Sequence, residues 1–491
     1  MKSASRAQVQ AWGLAPFHGS PHGDLLTATA ESQALIGRGG DDTLASWFNH
    51  SVLDGGSGDD VLGLVVSEDY SNPLPPYYLP PYDFDATLLG GAGNDVLTVD
   101  VSVRTVSDAD FRVAVSGGSG ADVIDVSTVS LAVALQGTTV RNMIDGGAGD
   151  DTITAYAQGG PSFSYREIAI NEITGGAGND HIEATASVSE DSGLFARNLI
   201  WGGAGDDYLF ARTYTRSNGP DTPSENTLRG GAGNDTLISQ MDGGGLSYSN
   251  DFVSKLYGGA GDDALTATCD AQALGGATAH VLLEGASGRD VLTATTRAFS
   301  AGLAVEARNQ LFGGAGDDML TALADARKAS AAAATGTAHN LLDGGSGNDQ
   351  MIATVSGNGA ATAFSELYGR SGNDSLTAIG GDGNILDGGG GRDTLLGSDG
   401  ADSLTGGRGG DLMTGGHGAD VFVFDARSGD DVVTDFEDGV DLIRIASGAA
   451  GFAGLTITAQ GLDTLVEFAH ASVLLHGVDA ATLDAGDFLF G

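Results

Sequence analysis

The chain has 491 residues, 80 of them glycine, with 10 prolines and a single cysteine, and 41% of it is apolar. That is too rich in glycine for an ordinary globular domain and too apolar for a disordered one. Acidic residues outnumber basic ones 65 to 22, and the formal charge of −43 argues against nucleic acid and anionic membrane as partners and calls for cations within a compact fold.

Lone Cys269 rules out an internal disulfide. No apolar run reaches the roughly 18 residues of a membrane span. The start, MKSASRAQVQAWGLAPFHGSPHGD, lacks the apolar core of a signal peptide, so export would take another route.

In chain order, residues 1–36 read as an N-terminal cap with a degenerate repeat. The segment GSPHGDLLTAT, from Gly19, keeps Asp24 and Leu26 but loses two glycines. The unit G-G-x-G-x-D, followed by any residue and then an apolar one, starts at Gly37, Gly55, Gly90, Gly117, Gly146, Gly175, Gly202, Gly230, Gly258, Gly285, Gly313, Gly344, Gly369, Gly388, Gly397, Gly406 and Gly415. From Gly90 to Gly344 the copies lie 27 to 31 residues apart, and from Gly388 to Gly415 they lie 9 apart. The spacing predicts an all-β, right-handed parallel β-solenoid: long coils over 37–387, a nonapeptide roll over 388–422, and a small β-rich cap over 423–491. The wide gap between Gly55 and Gly90 holds PLPPYYLPPYDF. It predicts a loop thrown out from the stack, either a tolerated insertion or a binding loop of aromatics on polyproline geometry.

Residues after each turn alternate. Leu265, Ala267, Cys269, Leu292 and Ala294 take the inward parity, and Thr266, Thr268, Thr293 and Thr295 the outward one. Before each turn, Ile173, Ile200, Leu228, Leu256, Leu311 and Leu342 are predicted core. Two positions further back, Asn142, Asn171, Asn198, Asn226, Asn309, Asn340 and Asn384 share the inward parity. A buried amide needs a partner, and stacked at strand spacing these can form an Asn ladder. The alternative is Asn as a plain turn former.

The turns carry the chemistry. A Gly-Gly step permits positive φ and exposes carbonyl oxygens, and the sixth position adds a carboxylate. That carboxylate is Asp42, Asp60, Asp95, Asp122, Asp151, Asp180, Asp207, Asp235, Asp263, Asp290, Asp318, Asp349, Asp374, Asp393, Asp402, Asp411 or Asp420. An all-oxygen set suits Ca²⁺, several ions of it, each lying between turns of successive coils, because one turn supplies too few oxygens. Magnesium demands stricter geometry, and zinc or iron would want His or Cys at ligand spacing. Plain tight turns would not keep Asp at the sixth position. Arg38 and Arg370 replace the second glycine, and Arg289 and Arg392 take the fifth position. A cation there predicts weaker binding at those turns.

In these turns the sequence resembles the RTX proteins of Gram-negative bacteria. Only Gly388 to Phe422 keep that family's contiguous nonapeptide rhythm, so a single row of ions is expected along the long coils. The segments SGDDVVTDFEDGVDLI (428–443), DTLVEF (463–468), VLLHGV (473–478) and DFLFG (487–491) resemble the family's C-terminal secretion region. The resemblance implies export by a type I secretion apparatus. Relatives often carry an enzyme or pore domain ahead of the repeats. Here only 18 residues precede the first coil, and neither HExxH nor GxSxG occurs. The expected function is therefore a secreted, non-enzymatic calcium protein of surface layer, biofilm or adhesion, with surface or matrix polysaccharide as a partner. Ice or carbohydrate binding by outward threonines, and a polysaccharide-modifying carboxylate pair on the solenoid face, are the alternatives.

Overall fold

Period-two alternation makes each run a half-buried strand, and in the computed structural model these strands stack in parallel, one coil on the next. The structure describes residues 15–69, 82–104, 108–131, 137–160, 167–189, 194–216, 224–243, 249–301, 304–328, 336–357 and 361–491. The chain divides into two compact units, Met1–Gly259 with Thr268–Thr278, and Ala260–Ala267 with Ala279–Gly491.

In the first unit one parallel ladder runs through Ala15–His18, Gln33–Ile36, Ser51–Ser57, Tyr82–Ala92, Ala109–Ser119, Thr138–Ala148, Glu167–Ala177, Leu194–Ala204 and Ser224–Ala232. A second runs through Leu25–Thr27, Thr43–Ser46, Val61–Asp69, Val96–Arg104, Val123–Ser130, Thr152–Gln158, His181–Ser189, Tyr208–Arg216 and Thr236–Gly243. The degenerate first coil is thus a true coil. Each G-G-x-G-x-D turn joins a strand of the first ladder to one of the second.

The register stacks like on like. Leu53, Leu88, Val115, Ile144, Ile173, Ile200 and Leu228 form one buried column. Leu62, Leu97, Ile124, Ile153, Ile182, Leu209 and Leu237 form another. Each such side chain contributes about 1.5–3 kcal/mol when removed from water. The predicted loop PLPPYYLPPYDF lies outside the described residues up to Pro81. Its last three residues instead begin the strand Tyr82–Ala92, where buried Phe84 packs 6.1 Å from Phe111.

The second unit also has two parallel ladders, through Val291–Ser300 and Val305–Ala315. They run through the segment predicted as a tail: Val421–Phe424, Leu442–Ile445 and Phe488–Phe490 extend one, Asp430–Val433 and Ala471–Leu475 the other. An antiparallel meander of Thr456–Gln460, Asp463–Phe468 and Ala471–Leu475 closes this end. The outward positions are mixed. Thr98, Asp125, Thr154, Glu183, Phe210 and Ile238 share one column in the first unit, and Thr293, Thr321, Ile352, Thr377 and Leu396 share one in the second. No continuous threonine array forms there.

The inward asparagines do form ladders. Nδ2 of Asn142 donates to Oδ1 of Asn171, Asn171 to Asn198, and Asn198 to Asn226, each at 2.9 Å, and Asn309 donates to Asn340 at 2.9 Å. The second amide hydrogen goes to a backbone carbonyl across the coil, of Tyr156, Thr185, Arg212, Leu323 or Thr354. Asn384 departs from the prediction. It lies in the same column, after Asn340 and Ser365, but both its backbone N–H and its Nδ2 donate to Asp402 Oδ1 (2.9 and 2.8 Å). The coil has by then shortened to 18 residues, so a turn aspartate follows it in the column where the long coils carry asparagine.

An interior rung tests the ladder best, because the hydroxyls of Thr213 and Ser239 beside Asn226 would satisfy a carboxylate. Asn171→Leu is expected to cost about 1–3 kcal/mol through stranded neighbours. Asn171→Asp should cost more, about 3–5 kcal/mol, because it buries a charge against Asn198 Oδ1 and the Thr185 carbonyl. Thermal denaturation in saturating calcium gives the order, and equal losses would contradict the ladder.

Candidate metal centre

All seventeen predicted turn aspartates lie at the junction of the two ladders with no more than 2% of their surface exposed. They are brought into rows by one repeated bond. The backbone N–H of Asp42 donates to Oδ1 of Asp60, Asp60 to Asp95, Asp95 to Asp122, Asp122 to Asp151, Asp151 to Asp180, Asp180 to Asp207 and Asp207 to Asp235, at 2.7–2.9 Å. In the second unit the row runs Asp263, Asp290, Asp318, Asp349, Asp374, Asp393 and Asp411 at 2.8–2.9 Å. Within each unit the long coils therefore carry a single row. In the nonapeptide section a second row appears, Asn384 to Asp402 to Asp420 to Asp441.

One carboxylate oxygen is thus used in holding the next coil. The other, Oδ2, is buried and without a hydrogen-bond partner at sixteen of the seventeen predicted aspartates. A buried, unpaired carboxylate oxygen is costly unless a cation meets it. The first glycine of each turn shows what surrounds it. A Cβ on Gly90 would strike Asp95 Oδ2 and lie 2.6 Å from the carbonyl oxygen of Gly117 in the next coil, and Gly146 and Gly313 repeat this with Gly175 and Gly344 at 2.6 Å. Carboxylate and next-coil carbonyl converge there. The second glycine is needed for conformation: Gly91 has φ +115°, and a Cβ on it would strike the Gly56 carbonyl. Arg38, Ala286 and Arg370 hold the same left-handed conformation at +89°, +83° and +75° at a cost in strain.

The donor set is oxygen throughout, one carboxylate per turn supplemented by backbone carbonyls. Among the described residues no group of three His, Cys, Asp or Glu forms a metal cluster. The set fits a hard cation that takes many oxygens at flexible geometry. Burial is the main reason these carboxyls are pushed up, and neighbouring aspartates in the row add to it. Asp151, Asp207, Asp318 and Asp393 reach about 7, and Asp60, Asp95, Asp180, Asp349 and Asp420 about 6.

Three details differ from the sequence reading. Asp402 has no open oxygen, because Ser398 stands at the second position and donates its backbone N–H to Asp402 Oδ2 at 2.6 Å. Arg370 turns away from its turn: Nε and Nη2 grip the Asp343 carboxylate at 3.0 and 2.6 Å, and the guanidinium lies 4.9 Å over Tyr368. Asp431, overlooked in the tail, accepts the Asp411 N–H at 2.9 Å, is 2% exposed, has an unpartnered Oδ2 and is raised to about 7, mainly by burial. The signal was there in SGDDVV, which keeps Gly429, Asp431 and Val433 at the fourth, sixth and eighth positions, with Gly429 bridged to Gly409.

The model of the RTX calcium-binding nonapeptide repeat matches residues 82–100, 135–158, 169–187, 192–212, 222–240, 306–326, 334–354, 379–413, 387–422 and 396–433. The chain carries RTX calcium-binding nonapeptide repeats. Asp42, Asp60, Asp122, Asp263, Asp290 and Asp374 fall outside the matched segments yet make the same bonds as the rest of the row. No curated protein matches the chain. Among solved structures the chain is similar to the extracellular lipase LipA from Serratia marcescens, at 18% identity and a TM-score of 0.21 over 52% of this chain. It spans 40% of the lipase's length.

Two outcomes follow. The carboxyls' folded values lie above their unfolded value of 3.8, so their contribution to stability is full below about pH 4 and is lost as pH rises through 6 to 7. In chelator, lowering the pH from 7.5 to 5 should therefore increase the β signal in circular dichroism, and a decrease would contradict the site's burial. Asp431→Asn should lower the melting temperature in calcium by several degrees, the effect of about 1–2 kcal/mol from a lost ion. Asp402→Asn should lower it less, although Asp402 keeps both Gly397 and Gly400 of its motif and Asp431 only Gly429.

Proposed function

We propose that this chain is a secreted calcium-binding scaffold that folds when it meets calcium outside the cell and serves a surface-layer, biofilm or adhesion role. The observation that carries the reading is the row of buried Oδ2 atoms with no partner. In this reading the ligands are the sixth-position aspartates other than Asp402, joined by Asp431, together with carbonyl oxygens of the turn glycines in successive coils. Calcium, when bound, supplies the positive charge that the buried oxygens lack. The residues do the rest: Oδ1 sets the coil spacing, and the glycines admit the carbonyls.

A scaffold is favoured over an enzyme because the rows account for the buried turn aspartates. Export by a type I secretion apparatus rests on resemblance in 428–491. The ladders of the second unit pass through that segment, so a signal there would be unfolded during passage and ordered afterwards. No helix among the described residues is long and apolar enough to cross a membrane.

Extracellular calcium sites of this modular kind have dissociation constants of roughly 10⁻⁴ to 10⁻³ M. Ion at about ten times that value contributes about 1.4 kcal/mol per site, whereas cytosolic calcium leaves the sites empty. Calcium added to chelated protein should therefore raise the β signal steeply in the sub-millimolar to millimolar range, and magnesium should not replace it. A chain already β-folded in excess chelator at neutral pH would overturn the proposal.

A further inference from the structure

Beside the inner row, the residue just before each turn aspartate builds a second chain of hydrogen bonds that runs the opposite way. The backbone N–H of Asp59 donates back to Oδ1 of Asp41 (3.0 Å), that of Asn94 to Asp59 (2.7 Å) and that of Ala121 to Asn94 (2.8 Å). Further on, Asn179 donates to Asp150 (2.8 Å), Asp206 to Asn179 (2.8 Å) and Asn234 to Asp206 (2.7 Å). In the second unit Arg289 donates to Asp262 (2.8 Å), Asn348 to Asp317 (2.7 Å), Asn373 to Asn348 (2.8 Å) and Arg392 to Asn373 (2.7 Å). In the inner row the earlier coil donates and the later accepts. In this outer one the later coil donates.

The outer chain breaks where the side chain carries no acceptor. Ala121, Arg289 and Arg392 leave the backbone N–H groups of Asp150, Asp317 and Gly410, next in register, without this bond.

We propose that the fifth turn residue is a positioning residue for the calcium turn of the coil that follows it. The inference rests on the calcium reading above and deepens it. The N–H it holds belongs to the residue that leads directly into the next aspartate. Holding it fixes the backbone from which that Oδ2 projects as the coils stack, so less ordering is left to each ion. The residue types agree with this. Asp150, Asn179, Asp206 and Asn234 alternate, and Asp150, Asn179 and Asp206 accept alike at 2.7–2.8 Å. From Asp150 to Asn234 the position supplies an acceptor with charge at only every second coil, about 9.6 Å apart at strand spacing.

The consequence differs from that of a local cation. The weakened turns are those of Asp151, Asp318 and Asp411, which follow the breaks and have intact motifs GGAGDD, GGAGDD and GGRGGD. The turn of Asp290, which contains Arg289, is tethered through Asp262.

The test uses the full chain as wild type, Asn179→Ala, Asn179→Asp and Ala121→Asn, crystallised at limiting calcium, with occupancy read at each turn. Asn179→Ala should lower occupancy about fivefold at Asp207, the worth of one neutral hydrogen bond, while the turns of Asp180 and Asp235 keep theirs. Asn179→Asp should match wild type, and Ala121→Asn should raise occupancy at Asp151. A loss at the turn of Asp180, a loss spread evenly along the row, or an Asp variant as weak as the Ala variant overturns the inference. Should Asn179→Ala fail to fold, absence of a gain at Asp151 in Ala121→Asn overturns it alone. Calcium missing from every wild-type turn would overturn the metal reading as well.

Discussion

Every coil of this molecule hangs on a carboxylate that is shared. In the single row of the long coils one oxygen of a turn aspartate takes the amide hydrogen of the preceding coil's aspartate, and the other is left buried against the turn, as with Asp95, whose Oδ1 holds Asp60 and whose Oδ2 has no partner. The same side chain therefore sets register and creates an electrostatic debt. Burial, and after it the repulsion between carboxylates stacked at about 4.8 Å, opposes charge here and pushes Asp151 and Asp207 up to about 7. A cation or a proton relieves it. The hydrophobic columns can form only in a register that the carboxylates alone would oppose, which ties the core to the ion.

The inward column of the first ladder shows the same problem solved in another way. In the long coils Asn142, Asn171, Asn198 and Asn226 stack where no turn stands, and each amide is both donor and acceptor, so the column satisfies itself without charge. Once the coil shrinks to 18 residues, a turn arrives at that position and the column passes from Asn340 through Ser365 and Asn384 to Asp402, Asp420 and Asp441. Neutral amides occupy the column where backbone carbonyls and hydroxyls surround it, and carboxylates take over where glycine turns bring carbonyl oxygens.

The repeat made much of this legible. A fixed Asp after a Gly-rich turn, apolar residues two before and two after, and Asn at a constant offset follow from side-chain periodicity, which local sequence carries in full. The reading failed where the answer lay in which coil a residue touches. Asp402 looks like its sixteen fellows until Ser398 is seen to close its second oxygen. Asp431 looks like part of a tail until its place under Asp411 is known. Arg370 looks like a cation in a turn until Asp343, on the neighbouring strand, claims it.

By itself the sequence determined the solenoid, its two coil lengths, the inward and outward faces and the oxygen chemistry of the turns, because each depends on residues within one repeat. Only the tertiary structure decided how the turns are joined: a single row in the long coils of each unit, two rows in the roll, an Asp ladder and an outer Asp and Asn ladder running in opposite senses. Those bonds link residues 18 to 35 positions apart. Their partners are set by coil length and stacking, and a local motif has no means of recording them.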